Sequence, residues 1–226
     1  MYKEKLVVYF DILGFKELVN NKLDDPQYIH EILTFLHGIS SSSYKADSIA
    51  FSDSIIHLID LKSGFDSSQQ TFNEYLNVII SDISSVQMNM LLNYKILIRG
   101  AIAKGNIFYD QDKNILFGDG LINAYLLESK HAVFPRIIID ESIEFNLNDD
   151  LEWMDLTKDN DGNVYVDFIK WAVKLKEEKS ILSKLKLIVE DELEKLEITK
   201  HRSIYNKYYW LLNKINEKEQ ENLTGN

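Results

Sequence analysis

The stretch Val7-Val-Tyr-Phe-Asp-Ile-Leu-Gly-Phe-Lys-Glu-Leu-Val19 carries four apolar residues up to a single aspartate, then Leu-Gly-Phe and a new amphipathic segment. Burying an unpaired carboxylate costs on the order of several kcal/mol. Asp11 therefore needs a partner, either from elsewhere in the chain or from solution.

Residues 6–10 are short, apolar and rich in valine and aromatics, which predicts a buried strand. Residues 14–21 and 28–39 read as helices, and the serine run 40–43 as a loop. Residues 48–59 predict two strands with Ser52-Asp53-Ser54 at the turn. A helix over about 68–92 follows, with Phe72, Leu76, Ile79, Ile83, Val86 and Met90 on one face. Then come a strand over 95–103, a hairpin over 105–117, a helix over 123–131 and a strand over 136–139. This order predicts an α+β, ferredoxin-like (palm-type) core whose first strand lies between the third and fourth. From about 167 to 219 the chain is charged, helical in pattern and free of glycine and proline. Ile198, His201, Tyr205, Tyr208, Leu212 and Ile215 make an apolar stripe there. Two regions are expected: a core over 1–166 and a C-terminal helical extension over 167–226, packing on the core or on a partner chain.

In this topology the end of strand one meets the tip of the hairpin between strands two and three, so Asp11 and Asp53 should be neighbours. Two adjacent carboxylates repel unless a proton or a cation is shared. Each alone has an ordinary explanation, Asp11 as a helix cap and Asp53 as a turn residue. Together they suit Mg²⁺ or Mn²⁺, because hard cations take oxygen ligands and leave room for phosphate. Two such ions about 3.5–4 Å apart are a known device for in-line attack at phosphorus.

Composition narrows the partners. The 226 residues carry a net charge of −11, which argues against a nucleic-acid backbone but permits a small anion bridged by metal. Cysteine is absent, so disulfides and thiolate metal sites are excluded. No apolar run reaches the roughly 18 residues of a membrane span. A cytoplasmic location without membrane insertion is expected. Histidines 30, 37, 57, 131 and 201 include no zinc-helix pair, and there is no P-loop. The calcium-loop-like Thr157–Gly162 stretch reads as a hairpin turn.

Phe10-Asp-Ile-Leu-Gly-Phe15 resembles the opening motif of class III nucleotidyl cyclases, and Phe51-Ser-Asp53 resembles their second metal motif, where Gly-Asp is usual. Arg99-Gly-Ala-Ile-Ala-Lys-Gly105 is similar to the following strand, and Gly118-Asp119, Ala124 and Leu127-Glu128 align with the family's helix motif. The match covers roughly residues 5–140. It implies a homodimer with active sites in the dimer cleft and a nucleoside triphosphate as substrate. It also implies two metal ions held by Asp11, Asp53 and the backbone carbonyl of Ile12. The 3′-hydroxyl would attack the α-phosphorus and pyrophosphate would leave.

The chain departs from the family at several positions. Its transition-state Asn and Arg fall on Ile122 and Leu126, with Asn123 one residue out of place. Its base-selecting lysine falls on Ile49, and the paired acidic position falls near Ile115. The chain is most similar in kind to the stand-alone pyrimidine cyclases of bacterial anti-phage (Pycsar) systems, which implies UTP or CTP as substrate. The alternative is a catalytically silent cyclase-homology module that binds a nucleotide or partner. Arg99 is either a replacement catalytic cation or half of a structural ion pair. Lys104, Lys130 and Arg136 are weaker candidates for the substrate's charge, and Phe51 for stacking on its base.

Overall fold

The computed structural model describes residues 1–38, 44–61, 69–144, 150–174 and 178–224. The predicted serine loop 40–43 and the predicted start of the long helix at 68 lie outside them. Four strands form the centre: β1 (Lys3–Ile12), β2 (Ala46–Phe51), β3 (Ser54–Asp60) and β4 (Ile98–Asp110). β1 pairs antiparallel with both β3 and β4, and β2 closes the edge beside β3. This is the predicted α+β arrangement with the first strand central. The sheet continues beyond β4 through β6 (Ile137–Ile139), β8 (Val164–Val166) and β7 (Leu156–Lys158), while β5 (Ile115–Phe117) forms a short hairpin with β4. β7 and β8 pair antiparallel, so the Thr157–Gly162 stretch is the end of one hairpin strand and most of the turn that follows it.

The apolar run of β1 is continuous because both faces of the strand are covered. Leu6, Val8, Phe10 and Ile12 pack with α2 (Pro26–His37) and α3 (Gln69–Asn89). Val7 and Tyr9 face the other way, toward Ala101 and Ala103 of β4 and Ala124 of α4 (Asp119–His131). Side chains alternate along a strand, so Asp11 belongs to this second face. The helix α1 (Phe15–Asn21) begins after Gly14, whose φ of 77° turns the chain away from the sheet and is strained for other residues.

Two boundaries near the site differ from expectation. The strand predicted from Lys95 begins at Ile98, because α3 runs on through a π-helical turn (Met90–Tyr94) closed by Lys95 at φ 58°. The helix predicted from Asn123 begins at Asp119. There Gly105 and Gly120 meet so closely that a Cβ on Gly105 would lie 2.6 Å from the Gly120 backbone. Asp119 Oδ2 also accepts a hydrogen bond from Asn106 Nδ2 at 3.2 Å. The Gly-Asp pair thus ties α4 to β4.

The C-terminal region consists of α6 (Phe168–Lys174), α7 (Glu178–Lys195) and α8 (Ile198–Thr224); the short α5 (Asp150–Trp153) precedes β7. Leu182, Leu185, Val189, Leu211 and Ile215 bury themselves against Leu13, Met88, Leu91 and Leu97 of the core. The predicted stripe of α8 is corrected in its first turns. Ile198 and His201 are exposed, and the backbone at His201 (φ −122°, ψ 29°) is not helical, so the phase read from Ile198 is lost. The buried face is Tyr208, Leu211 and Ile215, with Ile204 partly covered.

Candidate active site

Asp11 lies opposite Ser54 of β3 on one side and Arg99 of β4 on the other. The Ile12 N–H donates to the Asp53 carbonyl at 3.2 Å, so the two aspartates stand at adjoining chain positions. Ser52 adopts φ 57° in the β2–β3 turn, a conformation that favours glycine, and Tyr9 Oη shares a 2.7 Å hydrogen bond with Ser54 Oγ beside it. Asp11 does not cap α1, whose N-cap residue is Gly14 with no side-chain hydrogen bond.

Arg99 answers the need of Asp11 for a partner. Its Nε–H donates to Asp11 Oδ2 at 2.8 Å, and Nη1 donates to the Ala132 carbonyl at 3.2 Å. Glu128, on the inner face of α4 one turn after Ala124, places Oε1 2.7 Å from the same Nε. Nε has one hydrogen and gives it to Asp11. Glu128 Oε1 is therefore paired by charge yet without a hydrogen bond. Burial pushes the Asp11 carboxyl above its usual range; Arg99 opposes this and Asp53 adds to it. Burial also pushes Glu128 up, to about 6, with Arg99 opposing and Asp11 and Asp53 reinforcing.

Asp11, Asp53 and Arg99 are thus brought together. The other candidates are placed elsewhere. Lys104 lies opposite Leu6, five residues along β4 from Arg99, or roughly 17 Å at strand spacing. Asn123 and Lys130 line an open cleft of about 780 Å³ between α4 and the β7–β8 hairpin. Phe51 is 80% exposed, so it is not the core-facing phenylalanine that its strand position also allowed. Arg136 is buried and structural: it pairs with Asp159 at 2.7 Å and with Asp161, and donates to the His131 carbonyl at 3.1 Å.

Glu128 and Lys207 are residues that sequence reasoning left out of the site. Glu128 was visible as a carboxylate four residues after Ala124 on an inward face. Lys207 comes from α8 and lies within electrostatic range of Arg99, Asp11, Glu17 and Glu128. Its signal was a lysine between Ile204, Tyr208 and Leu211 on an otherwise apolar face.

Among the described residues, no group of three or more histidine, aspartate or glutamate side chains is arranged to hold a metal ion. The donors that remain are the second oxygen of Asp11, the carboxylate of Asp53 and the carbonyl of Ile12. All are hard oxygens, and around Glu128 three carboxylates face two cations. An excess of negative charge at oxygen donors fits Mg²⁺ or Mn²⁺ completed by water or phosphate.

No family model matches the chain, and no curated protein does. Among solved structures, the chain is similar to a class III adenylyl cyclase-like ATP-binding protein from Pseudomonas aeruginosa. The identity is 13% and the TM-score 0.43, over 62% of this chain and 34% of that one. It is also similar to a bacterial light-regulated adenylyl cyclase, at 14% identity and TM-score 0.43, over 82% and 99% of the two chains. A third is the monomeric guanylyl cyclase domain of a fusion protein from the aquatic fungus Blastocladiella emersonii. There the identity is 15% and the TM-score 0.42, over 73% and 95%. No helix among the described residues is long and apolar enough to cross a membrane.

Proposed function

We propose that the protein is a metal-dependent nucleotidyl cyclase that converts a ribonucleoside triphosphate to a 3′,5′-cyclic nucleotide and pyrophosphate. The observation that carries this reading is the meeting of Asp11 and Asp53 at the end of β1, with the Ile12 N–H on the Asp53 carbonyl. Asp11, Asp53 and the Ile12 carbonyl would hold the two Mg²⁺ or Mn²⁺ ions. When bound, such ions acidify a ribose hydroxyl and offset charge developing at phosphorus. The chain's own groups orient the reaction: the 3′-oxygen forms a bond to the α-phosphorus, the bond to the bridging oxygen breaks, and the hydroxyl proton passes to solvent. Arg99, anchored between Asp11 and Glu128, opposes protonation of the Asp11 carboxylate and fixes its direction.

UTP or CTP is the proposed substrate. Ile49 and Ile115 offer no side-chain hydrogen bond to a purine edge, and sites discriminate strongly only with polar groups to leave unpaired. A homodimer is proposed because α4 exposes Ile122 (57%), Tyr125 (51%) and Leu126 (38%) on one face, an apolar surface that a second copy would cover. A role as a signal in anti-phage defence follows from the resemblance to the stand-alone pyrimidine cyclases. The second reading, a silent nucleotide-binding module, is favoured by one feature: Arg99 already satisfies one oxygen of Asp11. Incubating the protein with each of the four ribonucleoside triphosphates and Mn²⁺ decides between them. A cyclic mononucleotide from UTP or CTP supports the first reading, and nucleotide binding without product supports the second.

A further inference from the structure

A second cavity, of about 590 Å³, opens beside Leu13 and Gly14, directly after Asp11 and Ile12 in the chain. Its walls are α1, the turn at Lys95–Ile96, the end of α7 and the first half of α8. Three lysines line it. Lys95 is engaged by Asp191 at 3.4 Å and Glu192 at 3.9 Å, and Lys200 by Glu197 at 2.8 Å. Lys207 is partly buried, and no hydrogen bond or ion pair within 4 Å is found for it among the described residues.

We propose that Lys207 binds the polyphosphate of the substrate and its pyrophosphate product, so that the helical tail supplies a cation of the active site. The inference rests on the carboxylate site being a nucleotide site, as argued above. Three features support it. The helix is held in place immediately after the residue. Tyr208 Oη donates to the Lys95 carbonyl at 2.7 Å, and Trp210 stacks on Phe134 at 5.3 Å. Lys207 lines the cavity together with Leu13 and Gly14, which directly follow Asp11 and Ile12, and lies within electrostatic range of Asp11 and Glu128, so the cavity is where a phosphate chain held at the carboxylates would extend. Burial and the nearby Arg99 lower its pKa, and Asp11, Glu17 and Glu128 compensate only in part, so a bound anion would offset the remaining cost. Meanwhile α4 presents Ile122 and Leu126, which bind no anion.

The test is calorimetric titration of inorganic pyrophosphate into the full chain with Mn²⁺ present, in wild type, Lys207→Met and Lys207→Arg. Lys218→Met on the same helix controls for net charge; Lys218 pairs with Glu221 at 2.7 Å. Lys207→Met should weaken pyrophosphate binding by about 10- to 100-fold, the range of one charge-assisted hydrogen bond. Lys207→Arg should restore most of it, and Lys218→Met should change nothing. Melting of Lys207→Met without ligand should stay level or rise, because a desolvated charge is gone. Wild-type affinity in Lys207→Met overturns the proposal, and so does a marked fall in its melting temperature, which would assign the lysine to packing. Mn²⁺ titration without pyrophosphate separates the two levels of the argument. Mn²⁺ binding without pyrophosphate binding in the wild type overturns the role of Lys207 alone, while absence of Mn²⁺ binding overturns the site reading beneath it.

Discussion

Arg99 donates its single Nε–H to Asp11, so replacing Asp11 and replacing Asp53 should differ in their effect on stability. Asparagine at either position removes a negative metal ligand, and turnover should fall by several orders of magnitude in both variants. Without metal, Asp53→Asn should melt at or above the wild-type temperature, since one of two repelling carboxylates is neutralised. Asp11→Asn should gain less than Asp53→Asn and stay within about 1 kcal/mol of wild type, because burial disfavours the charge it removes while the hydrogen bond from Arg99 weakens, with Glu128 still beside that guanidinium. Near-normal turnover in either variant would end the two-aspartate proposal. Glu128 gives a pH test of the same cluster. Its proton is held to about pH 6 in the native protein against 4.5 ordinarily. The stability it contributes is therefore full below pH 4.5 and lost as pH rises through 6. Glu128→Gln escapes that loss. In urea melts with chelator it should match wild type at pH 4 and exceed it by roughly 1–2 kcal/mol at pH 8. Equal stability at both pH values would show that Glu128 titrates normally.

The β2–β3 turn offers a test at the level of the element. Ser52 occupies a left-handed backbone well that costs a side-chain-bearing residue about 1–2 kcal/mol, partly offset by the lower entropy of its unfolded state. Ser52→Gly should stabilise the protein by up to about 1 kcal/mol in urea melts and leave the position of Asp53 intact; destabilisation would show that the Ser52 side chain matters. This turn was legible in the sequence because Ser-Asp-Ser between two apolar runs is turn chemistry. The face of α3 was legible because its period is helical and unbroken: Leu76, Ile79, Ile83, Val86 and Met90 are all buried. Legibility failed where a backbone irregularity resets the period, at Lys95 and at His201. It also failed where a contact depends on distant packing. Nothing local in the sequence of α8 tells that Lys207 reaches the end of β1. Asp11 and Asp53 could be paired from topology alone, whereas the Arg99–Glu128 contact required knowing that α4 lies over β4.

On the scale of the whole molecule, the α4 face and the tail make different demands. If α4 covers a second copy, the protein should be dimeric at micromolar concentration by light scattering. Tyr125→Glu combined with Leu126→Glu should then give a monomer of unchanged fold and little activity. A wild type that stays monomeric with nucleotide and metal present would remove the shared cleft. The tail is tied to the core differently, through an apolar cluster that contains Leu13, Met88, Leu91 and Leu97 together with Leu211 and Ile215, and through Trp210 packed on Ile138, Tyr165 and Phe134.

That shared cluster sets an order of events at the ribosome. Chains emerge N-terminus first, at about 5–20 residues per second. Leu97 is therefore made roughly 6–23 seconds before Leu211 closes over it, at that rate. Throughout this interval the nascent core carries a bare apolar patch beside the ends of β1 and β4. Synthesis has to reach α8 before the patch is sealed, and translation stalled between α6 and α8 would leave a sticky, incomplete core for chaperones to hold.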